Sequence, residues 1–155
     1  MSISSIQAGR IICELSGWKA SNLKLQKLLY IACLNFIGED KENPKYLIRG
    51  DFEAWKYGPL QPELYDFCKD FGASHVKNVF PYVDIRKYHQ SEYGMLETVV
   101  NWGRDKSPGY LVGYTHKEGG AWERTKNEFG EKSVIPYRYI QEEYIREKRN
   151  DEKAR

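Results

Sequence analysis

The groups best able to do chemistry in this chain are three histidines, three cysteines and the stretch YTHKEGGAW, from Tyr114 to Trp122. An imidazole titrates near neutral pH, so His116 is the side chain most suited to moving a proton. Two readings stand for it: it hydrogen-bonds a backbone carbonyl and locks the turn before Gly119-Gly120, or it presents itself in a cleft. His75 and His89 sit in a polar middle region. Three histidines without i, i+4 spacing or a partner cysteine make no metal site. Cys13, Cys33 and Cys68 are odd in number, far apart and set in apolar helical patterns, which reads as reduced core thiols of a cytosolic protein. No CxxC or HExxH spacing, GxSxG elbow or phosphate-cradling glycine loop occurs. The chain is therefore expected to be no enzyme and to carry no metal and no cofactor.

Binding is the other chemistry on offer. FEAWKYGPLQPELY, from Phe52 to Tyr65, holds four aromatic residues in a chain that is 14% aromatic, with twelve tyrosines and four tryptophans. Such side chains join an apolar body to a polar handle and suit surfaces that are wet at one time and covered at another. Phe52, Ala54 and Leu64 fit core positions, and Gly58-Pro59 shapes the turn. Trp55, Tyr57 and Tyr65 are either the aromatic lid of the core or the anchors of an interface. His116 and Trp122 join them as candidate partner-binding residues.

These residues need helices to hold them. The spacing predicts a helix from Ser4 to about Ser16, ended by Gly17, and a second capped by Ser21 or Asn22. Leu25, Leu28, Leu29, Ala32, Cys33, Phe36 and Ile37 form the stripe of that second helix, with Lys24, Lys27 and Asn35 off it. A polar loop spans Gly38–Pro44. Two short apolar runs flank Gly50-Asp51 and predict a small β-hairpin there, which Gly58-Pro59 stops. Pro62 opens a helix carrying Leu64, Phe67, Cys68 and Phe71. Pro81 argues against helix across Gly72–His89. Ser91 caps a helix with Leu96, Val99, Val100 and Gly103 buried, and Ser107-Pro108 opens a short one with Leu111, Val112 and Tyr114. Ala121–Phe129 makes another after the Gly-Gly break, and Pro136 opens the last. The fold expected is mainly α: a single-domain helical bundle over residues 1–150 with a small β-hairpin insertion and a charged, fraying tail at 151–155.

Bulk properties narrow the partners. A chain of 155 residues, 30% charged, can bury a core without disulfide or metal staples. Met1–Gly9 lacks a basic start followed by an apolar block, and no apolar run approaches the ~20 residues that span a bilayer, so no leader and no membrane partner are expected. A net charge of +2 is too even for a nucleic-acid surface. In the tail, Arg146, Lys148, Arg149, Lys153 and Arg155 alternate with Glu147, Asp151 and Glu152, as on a solvated helix. Nucleic acid is disfavoured as a partner, with a nucleic-acid-binding regulator kept as the alternative and an enzyme with a cleft near His116 behind it.

The order LKLQKLLYIA, FEAWKYGPLQPELY, LVGYTHKEGGAW and VIPYRYIQEEY, from Leu23 to Tyr144, resembles the Panacea-domain family, also called SocA-like antitoxins or phage-associated GepA-type proteins. The most specific elements are Ala54-Trp55 leading to Tyr57-Gly58-Pro59 and Leu64-Tyr65, then Thr115-His116 followed by Trp122. The resemblance implies a mostly helical, cytoplasmic antitoxin of a bacterial or phage toxin–antitoxin pair, which neutralises a cognate toxin protein by direct binding. Occlusion of the toxin and its delivery to a protease stand as alternative routes. Some family members carry an added DNA-binding segment, which this sequence does not show.

Overall fold

The computed structural model describes residues 2–82 and 84–154; Met1, Val83 and Arg155 lie outside the described residues. Strand β1 (Ile3–Ser4) leads into helix α1 (Ser5–Leu15). Ser4 accepts from the Gln7 N–H at 3.0 Å while Gln7 Oε1 accepts from the Ser4 N–H at 2.9 Å. This reciprocal pair fixes the start of the first helix, as the sequence pattern led one to expect. Helix α2 (Asn22–Phe36) follows, with Ser21 as its cap, accepting from the Lys24 N–H.

The small β elements differ from the expected hairpin about Gly50-Asp51. Strand β2 (Ile48–Arg49) pairs in parallel with β1, Ile3 opposite Ile48. The hairpin lies further on, between β3 (Glu53–Trp55) and β4 (Gly58–Leu60), with Trp55 opposite Gly58. Its two-residue connection is Lys56-Tyr57, so Gly58-Pro59 builds the returning strand instead of ending the arm. A proline is tolerated there because β4 is an edge strand and needs no donor on that side. The other edge of β3 is also used: the Ala54 N–H donates to Ser133 O at 2.9 Å, and the Ile135 N–H donates to Phe52 O at 2.8 Å.

Helix α3 (Pro62–Cys68) has proline at its first turn and continues into a tighter turn at Lys69–Phe71. The described residues between there and Gln90 form no α-helix, as Pro81 required, yet Val76, Phe80 and Ile85 bury their side chains. Helix α4 (Gln90–Gly103) starts two residues earlier than a Ser91 cap would place it, with His89 in the cap position. Helix α5 (Pro108–Thr115) is capped by Ser107, which accepts from the Tyr110 N–H. Helices α6 (Ala121–Phe129) and α7 (Tyr137–Ala154) complete a mainly α single domain with a small hairpin.

α2 is the axis of the bundle. It packs against α1, α3, α4, α5, α7 and β4, so its buried residues run almost without break from Leu25 to Leu34. A helix surrounded on all sides cannot keep a polar face. This overturns the placing of Lys27 off the buried stripe: Lys27 is 1% exposed. The three cysteines are free and buried. Burial pushes the thiol of Cys13 up to about 12 and that of Cys68 up to about 11, which keeps both protonated and unreactive.

Candidate functional site

The hairpin is held from below by two polar residues of α2. Lys27 Nζ donates to Pro59 O at 3.0 Å. Gln26 grips the residue two further on with both ends of its amide: Nε2 donates to Gln61 O at 3.1 Å, and Oε1 accepts the Gln61 N–H at 2.7 Å. The Gln61 side chain in turn accepts the Leu64 N–H at 2.8 Å and so caps α3. β4 has no further strand beside it, and these side chains take the place of one. Gly58 lies where the fit is tightest. Its φ is +113°, and a Cβ there would stand 2.8 Å from Thr115 Oγ1 and 3.0 Å from Lys27 Cε. Only glycine meets both demands. Burial pushes the Lys27 ammonium from 10.5 down to about 7.

From the hairpin, the four aromatic candidates and His116 join in one chain of contacts. Trp55 lies 5.2 Å from Tyr65, ring centre to ring centre, and its Nε1 donates to Glu53 Oε1 at 2.9 Å. Trp122 reaches across from α6 and donates Nε1 to Trp55 O at 2.7 Å. The His116 ring stacks on Trp122 with centres 3.7 Å apart and planes 4° from parallel, and it hydrogen-bonds the Tyr57 backbone. Desolvation first, then the charges of Lys27 and Lys126, hold the imidazole below its usual range. Trp122 is only 7% exposed, whereas Tyr57 at the hairpin tip is 60% exposed. Trp55 and Tyr65 lie between these limits. The candidates named from the sequence lie together here, with Trp122 buried, His116 half-buried beside it, and Tyr57 open to solvent with the edges of Trp55 and Tyr65.

Beside this face lies a cleft of about 610 Å³, walled by α2, the hairpin and the end of α3. Lys27, Lys56, Lys69 and Lys132 are among its lining residues, and no aspartate or glutamate is. The stem that carries His116 and Trp122 is fixed from α7. Glu143 Oε1 accepts the Ala121 N–H at 2.7 Å, a carboxylate set at the start of a helix where it is most welcome. A Cβ on Gly120 would fall 2.6 Å from that same oxygen. Glu143 is 3% exposed, with its carboxyl pushed up by burial. Glu143 thus points into the fold, while its neighbour Glu142 is the exposed one of the two.

Gln26, Lys27, Gln61 and Glu143 are the supporting residues that sequence patterning missed. The available signal was two long polar side chains inside an otherwise apolar helix. Two of the tail cations are engaged within the fold: Arg146 donates to Gly119 O at 2.9 Å and Lys148 pairs with Glu39 at 2.9 Å. Among the described residues, no three of histidine, cysteine, aspartate or glutamate come together as a metal would need. No described helix is long and apolar enough to cross a membrane.

Comparison with known proteins places the chain in a family. The family model described as Antitoxin SocA-like, Panacea domain, matches residues 25–123. That span opens just before the Gln26-Lys27 pair and closes just after Trp122, so it encloses the hairpin and most of what holds it. The chain is also similar to the Antitoxin SocA of Caulobacter vibrioides (strain NA1000 / CB15N), 34% identical over 117 residues, which make up 69% of this chain and 60% of that protein. It therefore aligns with less than two thirds of that relative's length. No solved structure matches. With more than half of its length inside the family model, and with the residues that pin the hairpin inside it too, the chain belongs to the SocA-like antitoxin family, through its Panacea domain.

Proposed function

We propose that this protein is an antitoxin that neutralises a cognate toxin protein by direct binding in the cytoplasm. The observation that carries the reading is the hairpin tip: Tyr57 is 60% exposed on a two-residue turn whose flanks are pinned by Lys27, Gln26 and Trp122. An exposed aromatic on a rigid mount loses little freedom when a partner covers it, which is what an interface anchor needs. Trp55 and Tyr65 extend the contact, while His116 and Trp122 act from beneath by holding the tip in place. The role is one of binding and not of catalysis. His116 is stacked, desolvated and bonded to a backbone group, an arrangement suited to positioning a loop more than to passing protons. Membership of an antitoxin family, and similarity to a protein named as an antitoxin, support the same reading.

The test is co-expression. The reading frame beside this gene is expressed alone and together with this protein, and growth is followed. Arrest in the first case and restored growth in the second, with the two proteins co-purifying, is the expected result. A neighbour that is harmless alone, or one whose toxicity this protein leaves untouched, counts against the proposal. Co-expression in a strain lacking its main cytosolic proteases separates occlusion, which persists there, from delivery to a protease, which does not.

A further inference from the structure

The cleft beside Tyr57 differs in character from the rest of the molecule. The chain as a whole is nearly balanced, at +2, yet the cleft gathers four lysines and no acidic side chain around an apolar floor. Two of the cations lie over the aromatic faces that form its wall: Lys132 Nζ is 4.8 Å from the centre of the Trp55 ring, and Lys56 Nζ is 5.4 Å from that of Tyr57. Lys69 stands on the opposite side, 3.8 Å from Asp66 and half exposed. Asn22, at the start of α2, adds a different signal. It is 6% exposed, lines the cleft, and its Oδ1 is buried with no hydrogen-bond partner. Such an acceptor is costly until a donor reaches it.

From this placement we infer that the cleft takes an acidic, extended segment of the partner protein, with an apolar side chain against Trp55 and Tyr65 and carboxylates answered by Lys56, Lys69 and Lys132. The inference rests on the antitoxin reading and names the chemistry of the toxin segment that reading requires. A side-chain shift that brings Asn22 Oδ1 to the cleft would let a peptide N–H supply the donor it lacks. The same combination of cations and rings can attract a single strand of nucleic acid, but one feature favours the peptide: the cations at the cleft are all lysines, without the planar arginine forks that grip phosphates in pairs.

The experiment uses the whole chain and a displayed random peptide library. Selection is run in parallel on the wild type and on the Lys56→Glu/Lys132→Glu double variant, whose changes lie on exposed side chains. Circular dichroism melts establish that the variant folds, and Lys132→Ala serves as the milder substitute if it does not. We expect wild-type selection to enrich peptides with aspartate or glutamate next to a large apolar residue, and those peptides to lose about tenfold or more in affinity, roughly 1.4 kcal/mol, on the variant. Enrichment of neutral or basic peptides, or equal binding by the two proteins, overturns the inference. So does displacement of the peptides by a single-stranded oligonucleotide with a steep salt dependence. Toxin rescue tells the two proposals apart. Full rescue by the double variant overturns the cleft inference and leaves the antitoxin reading standing. Selection of acidic peptides by a chain that rescues from no toxin does the reverse.

Discussion

Lys27 is the residue on which most converges: its side chain crosses the core to hold Pro59, and it closes on Gly58 from below. Burial lowers its folded-state pKa from 10.5 to about 7. Between those values the unfolded chain carries a proton that the folded chain has released, so stability should rise with pH across the window and be at its full penalty below pH 7. The buried thiols of Cys13 and Cys68 act in the opposite sense above pH 9, because their folded values are raised. The clean comparison is therefore urea unfolding of wild type and Lys27→Met at pH 7 and pH 9. The wild type should gain stability relative to the variant by up to about 1.4 kcal/mol per pH unit, the limit for one proton. Parallel slopes would mean that Lys27 keeps its ordinary pKa. His116 titrates in the same direction at lower pH. Its pKa is lowered, chiefly by desolvation, so its contribution is intact above about pH 6.5 and is lost on further acidification. His116→Gln should flatten that part of the acid profile, and an unchanged profile would show that the ring is not desolvated in solution.

At the scale of elements, the hairpin is a device for presenting one turn, and its fit to α2 and α5 can be tested at Gly58. Replacing it with alanine imposes a left-handed backbone on a residue with a Cβ and drives that Cβ toward Thr115 Oγ1. The cost should be on the order of 2 kcal/mol or more, seen as a lower urea midpoint with helix content kept. A Gly58→Ala protein as stable as wild type would deny the close packing. Trp122→Ala should cost more, about 3–5 kcal/mol, because it removes a buried aromatic together with the donor to Trp55 O. Helices were readable in the sequence where a local signal marked them: Ser21 before α2, Ser107 before Pro108, Pro62 at a first turn; Ser91 marked a start two residues too late. The hairpin was misplaced because β2 finds its partner at the start of the chain, in β1, and no local pattern announces a pairing across that separation. The five aromatic and histidine candidates were readable as residue types at a spacing. Gln26, Lys27 and Glu143 were not, since a polar residue on a helix is assigned to water by default, and only the crowding around α2 and at the start of α6 reverses that.

For the molecule as a whole, one continuous core ties α1, α3, α4, α5 and α7 directly to α2, with α6 joined through α7 and β3, and this is what makes a rigid mount of a small hairpin. The unfolding should accordingly be a single cooperative transition with predominantly helical circular dichroism. The central claim is that this mount presents an aromatic anchor to a toxin, and the most direct measurement is the affinity of the Tyr57→Ala protein for that toxin, taken with its melting temperature. Tyr57 is exposed, so its removal should leave the melt within error of wild type while binding weakens about 30-fold, corresponding to roughly 2 kcal/mol, with rescue of growth impaired in step. A Tyr57→Ala protein that melts like wild type, binds the toxin as tightly and restores growth in full would contradict the account.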